Sequence, residues 1–121
     1  MELNELKEKI KQFNFERDCY KFHNPKDLFI ALVSEIGELA ECYRWLNDVE
    51  LSKIHADPIK KKKIEEEIAD IMIYLITLSY KTDIDIFKAI EEKIEKNRKK
   101  YPIEKAKGIH SNSLEGFKGK E

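Results

Sequence analysis

Three prolines and four glycines are the only strong helix breakers in 121 residues, and their placement constrains the fold more than any other feature of the chain. Proline removes a backbone donor and clashes with the preceding helical turn, so it is tolerated at a helix's first position and rarely inside one. Pro25 follows Asn24 and Pro58 follows Asp57, each pair setting a capping side chain before a residue with a helix-ready φ. Pro102 follows Tyr101 and closes the last periodic stretch. Between these breaks apolar residues recur every three or four positions, as in Leu3, Leu6, Ile10, Phe13 and Tyr20. That period is helical. The pattern predicts an all-α chain with helices over about 2–20, 25–46, 58–81 and 84–100. Thr82-Asp83 is expected to cap the last, and 47–56 to form a polar connection. The expected fold is a four-helix bundle completed by oligomerisation, with residues 1–105 as its domain and 106–121, which hold three of the four glycines, as a flexible tail.

Charge excludes several partners. Lys and Arg number 23 against 24 Asp and Glu, a net charge of -1, which offers no basic field for a nucleic acid and no acidic excess that would keep the chain unfolded. The longest apolar runs, 28–33 and 71–76, are six residues each, far short of the roughly 20 that a membrane helix needs. The first ten residues lack a signal-peptide pattern, and Cys19 and Cys42 read as thiols, so a soluble cytoplasmic protein is expected. The second helix carries Leu28, Leu32, Leu39 and Leu46 on one flank and Ile30, Val33 and Ala40 on another. One bundle buries only one flank, so the surplus predicts an obligate oligomer.

Four acids stand where apolar side chains belong. At about 100° per residue Glu35 projects into the arc of Leu28, Leu32, Leu39 and Cys42, and Glu38 lies at its edge. Glu67, Asp70 and Tyr74 form a similar strip on the third helix, bordered by Ile64, Ile71 and Ile73. Gly37, costing a helix roughly 1 kcal/mol against alanine, suggests close approach of another backbone or a ligand. If the two helices pack antiparallel, the four carboxylates converge, and like charges that close cannot all stay ionised without compensation. Lys60 and Lys63 are the only cations in line with either strip, too few to offset four acids. A metal is therefore favoured, and all-oxygen donors select Mg²⁺ or Mn²⁺. A di-iron centre needs Glu-x-x-His pairs, and none of His23, His55 and His110 has a Glu three residues before it. Mg²⁺ commonly completes its shell with substrate phosphate, which points to phosphoryl chemistry.

The segment Glu35-Ile-Gly-Glu38, 28 intervening residues, then Glu67-Ile-Ala-Asp70 resembles the ExxE and ExxD signature of the MazG-like, all-α nucleoside triphosphate pyrophosphohydrolases. Glu16-Arg17-Asp18, Phe22 to Pro25, ALVSEIGELAE over 31–41, Trp45, IADIMIYL over 68–75, and Asn97-Arg98 with Tyr101-Pro102 are similar to the dCTP pyrophosphatase branch. The resemblance implies cleavage of a (deoxy)nucleoside triphosphate, such as dCTP or a modified pyrimidine nucleotide, to its monophosphate and pyrophosphate, a reaction of nucleotide-pool sanitation. It implies Mg²⁺ on Glu35, Glu38, Glu67 and Asp70 and a homodimer or homotetramer with sites at subunit interfaces; it assigns no single general base, for which Glu38 is the candidate. It further implies a nucleotide pocket lined by Trp45, Tyr74 and the segment containing Cys19, Phe22 and His23, approached by Asn97 and Arg98. Cys19 stands where that branch has a tryptophan, and Ser34 where other MazG-like members have a further Glu.

The residues alone leave other readings open. Tyr74 suits a core tyrosine as well as a stacking ring, and Trp45 an interface anchor as well as a pocket wall. Lys60 to Lys63 reads as a solvated face paired with Glu65, Glu66 and Glu67 four residues on. A non-catalytic helical interaction module would share the bundle and predicts no metal dependence.

Overall fold

The computed structural model describes residues 2–17 and 24–104. Its elements are α1 (Leu3–Glu16), α2 (Pro25–Glu41), α3 (Asp48–Lys53), a 3₁₀ turn (Ile54–Ala56), α4 (Pro58–Lys81) and α5 (Ile86–Lys100). Among the described residues there is no strand, so the all-α expectation holds. The chain divides into two compact units, Met1–Ile84 and Asp85–Glu121. The expected tail over 106–121 lies outside the described residues, as do Tyr20, Cys19, Phe22 and His23.

The two Pro-initiated helices begin where capping chemistry sets them. Asn24 Oδ1 accepts from the Asp27 amide at 2.8 Å, and Asp57 Oδ1 accepts from the Ile59 amide at 2.9 Å and the Lys60 amide at 3.3 Å. These satisfy donors that a helix start leaves without an internal partner. α2 ends as a regular helix at Glu41, short of the expected 46. Beyond it the amides of Cys42, Tyr43 and Leu46 bond three residues back, to Leu39, Ala40 and Tyr43, which tightens the chain into turns. The expected polar connection instead folds: Asn47 and Glu50 form a reciprocal capping box that starts α3. The last helix starts at Ile86 with Asp85 as its cap, accepting from the Lys88 amide at 3.2 Å. Asp83 has a φ of 58°, a left-handed conformation that Asp tolerates and a helix does not continue through.

The core of the first unit joins Leu28 and Leu32 of α2 to Ile64 and Ile76 of α4, with Ile54 and Ile10 also buried. α2 against α4 is the principal helix pair. Glu35 meets Glu67 while Glu38 shares a pocket with Lys63, so the two helices run in opposite directions. α1 is tied to α4 by Asn14, whose amide donates to Thr77 Oγ1 at 3.1 Å and to Tyr80 Oη at 2.7 Å. The second flank of α2 is left uncovered: Phe29, Ile30, Val33 and Ile36 are all about half exposed. In the second unit α5 is amphipathic, and Ile90 and Ile94 on its apolar seam are exposed.

Candidate metal and nucleotide site

The buried face of α2 and the facing strip of α4 bring Glu35, Glu38 and Glu67 together, one carboxylate oxygen of each lying within 4.8 Å of the others. The three-residue spacings of Glu35 with Glu38 and of Glu67 with Asp70 explain this: on each helix the acids occupy the turn directly beside the apolar contact. Glu67 is buried, with 6% exposure; Glu35 is half-buried; Glu38 and Asp70 open to solvent. One oxygen each of Glu35 and Glu67, the Oε2 atoms, is sealed from solvent without a hydrogen-bond partner. A buried carboxylate oxygen left so is costly unless a cation meets it. Burial pushes the Glu35 carboxyl above its usual 4.5, and the charges of Glu38, Asp70 and Glu67 and a hydrogen bond with Glu67 push it the same way. Asp70 is thus close enough to act on Glu35, though it stands outside the tight trio.

Among the described residues, one cation answers the cluster. Lys63 Nζ donates to Glu67 Oε1 at 3.4 Å, and that bond followed by the charge of Glu67 holds the ammonium above its ordinary range. The single long contact leaves both Oε2 atoms unmet. The donor set is hard carboxylate oxygen throughout, which fits a divalent cation such as Mg²⁺ or Mn²⁺ and excludes the softer thiolate sites. Of the neighbouring lysines, Lys62 turns to Glu65 at 3.8 Å, one residue closer along the helix than the expected Glu66.

Beside the cluster lies a pocket of about 300 Å³. Glu38, Glu41, Cys42 and Leu46 line it from α2 and the turns after it, Ile54 from the 3₁₀ turn, and Ile59, Lys60 and Lys63 from the first turns of α4. Its lining combines apolar side chains with both carboxylate and ammonium groups, the composition of a small-molecule cleft. Tyr43 Oη and His55 Nε2, 2.7 Å apart, tie the turn after α2 to the 3₁₀ turn and so fix this wall. Sequence reasoning missed the pocket, because Ile54 lies in a connection with no helical period of its own and the facing of Ile59 toward Cys42 and Leu46 is set by tertiary packing.

The remaining predicted site residues fall at different places. Tyr74 is half-buried on α4, one turn beyond Asp70. Trp45 lies past the end of α2 and is 73% exposed. Asn97 and Arg98 belong to the second unit, where Asn97 is exposed and Arg98 Nη1 donates to Glu95 Oε1 at 2.8 Å. Cys19, Phe22 and His23 lie outside the described residues. No helix among the described residues is long and apolar enough to cross a membrane.

Fold and site define an all-helical protein with an acidic cluster, on two antiparallel helices, able to hold a divalent metal. Residues 30–115 match the MazG-like family, and the chain belongs to that family. It is 35% identical over 106 residues to dCTP pyrophosphatase 1 of Rattus norvegicus, a match covering 88% of this chain and 62% of the rat protein. The protein of the same name from Homo sapiens is 35% identical over 105 residues, covering 87% and 62%. The chain thus spans less than two thirds of the length of these relatives. Among solved structures, a pyrophosphatase from Archaeoglobus fulgidus is similar at a TM-score of 0.73 and 35% identity, over 83% of this chain and 92% of that one.

Proposed function

We propose that the chain is a Mg²⁺-dependent nucleoside triphosphate pyrophosphohydrolase acting on dCTP or a related pyrimidine nucleotide, releasing the monophosphate and pyrophosphate in the cytoplasm. The observation that carries the reading is the pair of buried, partnerless oxygens on Glu35 and Glu67 inside a three-carboxylate cluster beside an open pocket. Relatives named dCTP pyrophosphatase 1 and a similar structure named a pyrophosphatase support the substrate class.

In this reading Glu35, Glu38, Glu67 and Asp70 hold the cation. Bound there, Mg²⁺ would supply positive charge to the phosphate oxygens and acidify a water. Glu38, solvent-open at the pocket wall, accepts the proton of the attacking water as its oxygen bonds to phosphorus and the bond to the leaving pyrophosphate breaks. Lys60 and Lys63, which line the pocket, offset the charge of the phosphate tail. Trp45 and Tyr74 provide aromatic surface for the base and sugar. The family pattern alone assigns Asn97, Arg98, Cys19, Phe22 and His23 as further substrate-binding residues. The exposed stripe of Phe29, Ile30, Val33 and Ile36 is the contact of a homodimer or homotetramer, since apolar area of that extent is ordinarily covered.

A panel of nucleoside triphosphates, incubated with Mg²⁺ or with chelator and scored for pyrophosphate, tests the proposal. Metal-dependent pyrophosphate from a pyrimidine nucleotide is expected. Absence of pyrophosphate from every nucleotide would leave a non-catalytic helical module.

A further inference from the structure

Trp45 is the only tryptophan of the chain, and it sits in a turn beyond the last residue of α2 with 73% of its surface exposed. Neither helix geometry nor packing holds an indole in such a place, and a freely rotating ring loses rotamer freedom whenever it binds a ligand. Glu41, the last residue of α2, supplies the missing restraint. Its Oε2 accepts from Trp45 Nε1–H at 3.2 Å, and its Oε1 accepts from Arg44 Nη1 at 3.1 Å. The same bridge brings the Arg44 guanidinium 4.5 Å from the centroid of the indole ring, within cation–π range. Guanidinium therefore lies against one ring face, and the exposure of the indole leaves the opposite face available. Glu41 also lines the pocket that Glu38 shares with the carboxylate cluster, so the clamp adjoins the proposed substrate site through this residue.

We propose that Glu41 is a positioning residue that holds the Trp45 indole, with Arg44 against one face, as a preset stacking platform for the base of the nucleotide. The inference rests on the nucleotide reading above and adds to it a residue that acts through the indole. Its gain is preorganisation: the ring's orientation is set before binding, so the effect falls on affinity, not on the chemical step.

Because Trp45 is the single indole, fluorescence excited at the red edge of the absorption band, where tyrosine does not absorb, reports on it alone. Full-length wild type, Glu41→Ala and Glu41→Gln are titrated with the non-hydrolysable α,β-methylene analogue of dCTP and Mg²⁺, following quenching of tryptophan emission. Glu41→Ala is expected to weaken the apparent Kd about five-fold, the equivalent of one lost hydrogen bond. Glu41→Gln, whose amide oxygen still accepts from the indole, is expected to recover most of that loss, and in turnover the Glu41→Ala defect is expected in KM and not in kcat. Far-ultraviolet circular dichroism of both variants is expected to match wild type, as befits a side chain on the exposed surface. Equal affinity of Glu41→Ala and wild type, or wild-type emission that ignores the analogue, would overturn the inference. Pyrophosphate release by wild type is judged separately: release together with an unchanged Glu41→Ala KM removes the positioning role and leaves the function standing.

Discussion

In the metal-free protein, Glu35→Gln is predicted to stabilise the fold while destroying its response to Mg²⁺. The three clustered oxygens lie within 4.8 Å of one another. Two unit charges at that separation repel by about 0.9 kcal/mol in water and roughly 3.5 kcal/mol at the effective dielectric of a partly buried site. Glu38 opens to solvent, and screening there pulls each repulsion toward about 1 kcal/mol. Removing the charge of Glu35 relieves two such repulsions, a gain of about 2 kcal/mol, and for a domain of this size that raises Tm by about 6 °C. The pH dependence has a definite sign. The Glu35 carboxyl is held above 4.5, first by burial and then by its acidic neighbours, so its contribution to stability is complete below that value and is lost as pH rises through the raised folded one. The gap between variant and wild type is therefore small at pH 5 and wider at pH 7.5. Differential scanning fluorimetry in EDTA across that range measures it. Added Mg²⁺ at about 100 times its Kd would stabilise wild type by about 2.7 kcal/mol and leave the variant unmoved. A variant that melts at or below wild type in EDTA at pH 7.5 would refute the reasoning, because the carboxylate would then be a net stabiliser without metal.

Three further outcomes are expected. Leu28→Ala, at a fully buried position of the α2 and α4 contact, costs about 2–5 kcal/mol in urea unfolding, and a loss under 1 kcal/mol would place the core elsewhere. A Cβ on Gly37 meets nothing within 4 Å inside the chain, so Gly37→Ala preserves helical content while weakening self-association on sedimentation velocity; an unchanged assembly would show that no second copy approaches there. Asp70→Asn lowers pyrophosphate release by about 100-fold or more with circular dichroism intact, and retained activity would remove Asp70 from the ligand set.

Much of the fold could be read from where the breakers fall. Asn24-Pro25 and Asp57-Pro58 start α2 and α4 where their capping chemistry places them, and Leu28 and Leu32 of α2 and Ile64 of α4 are buried on the expected faces, whereas Leu39, Leu46 and Ile71 are only half-buried and Ile73 is exposed. What escaped was short-range: three-residue bonds end α2 at Glu41, and a capping box at Asn47 folds a segment too polar to show a period. Three of the four predicted ligands converge because their identity is encoded as acid within an apolar stripe, which violates ordinary burial preferences and is therefore legible. The pocket wall was not, since it depends on how Ile54 and Ile59 come to face Cys42 and Leu46, a tertiary fact with no local signature. Nor was the Glu41 bridge legible, as an exposed Glu four residues before a tryptophan looks like ordinary surface.

Central to the account is that the α2 and α4 carboxylates form a divalent metal site. Electron paramagnetic resonance of Mn²⁺, titrated into wild type and into a Glu35→Gln, Glu67→Gln double variant, tests it without reference to any substrate. Wild type is predicted to remove Mn²⁺ from the free-ion signal saturably, with Mg²⁺ competing, and the double variant to leave the signal free. Equal binding by the two proteins, or none by wild type, would contradict the account.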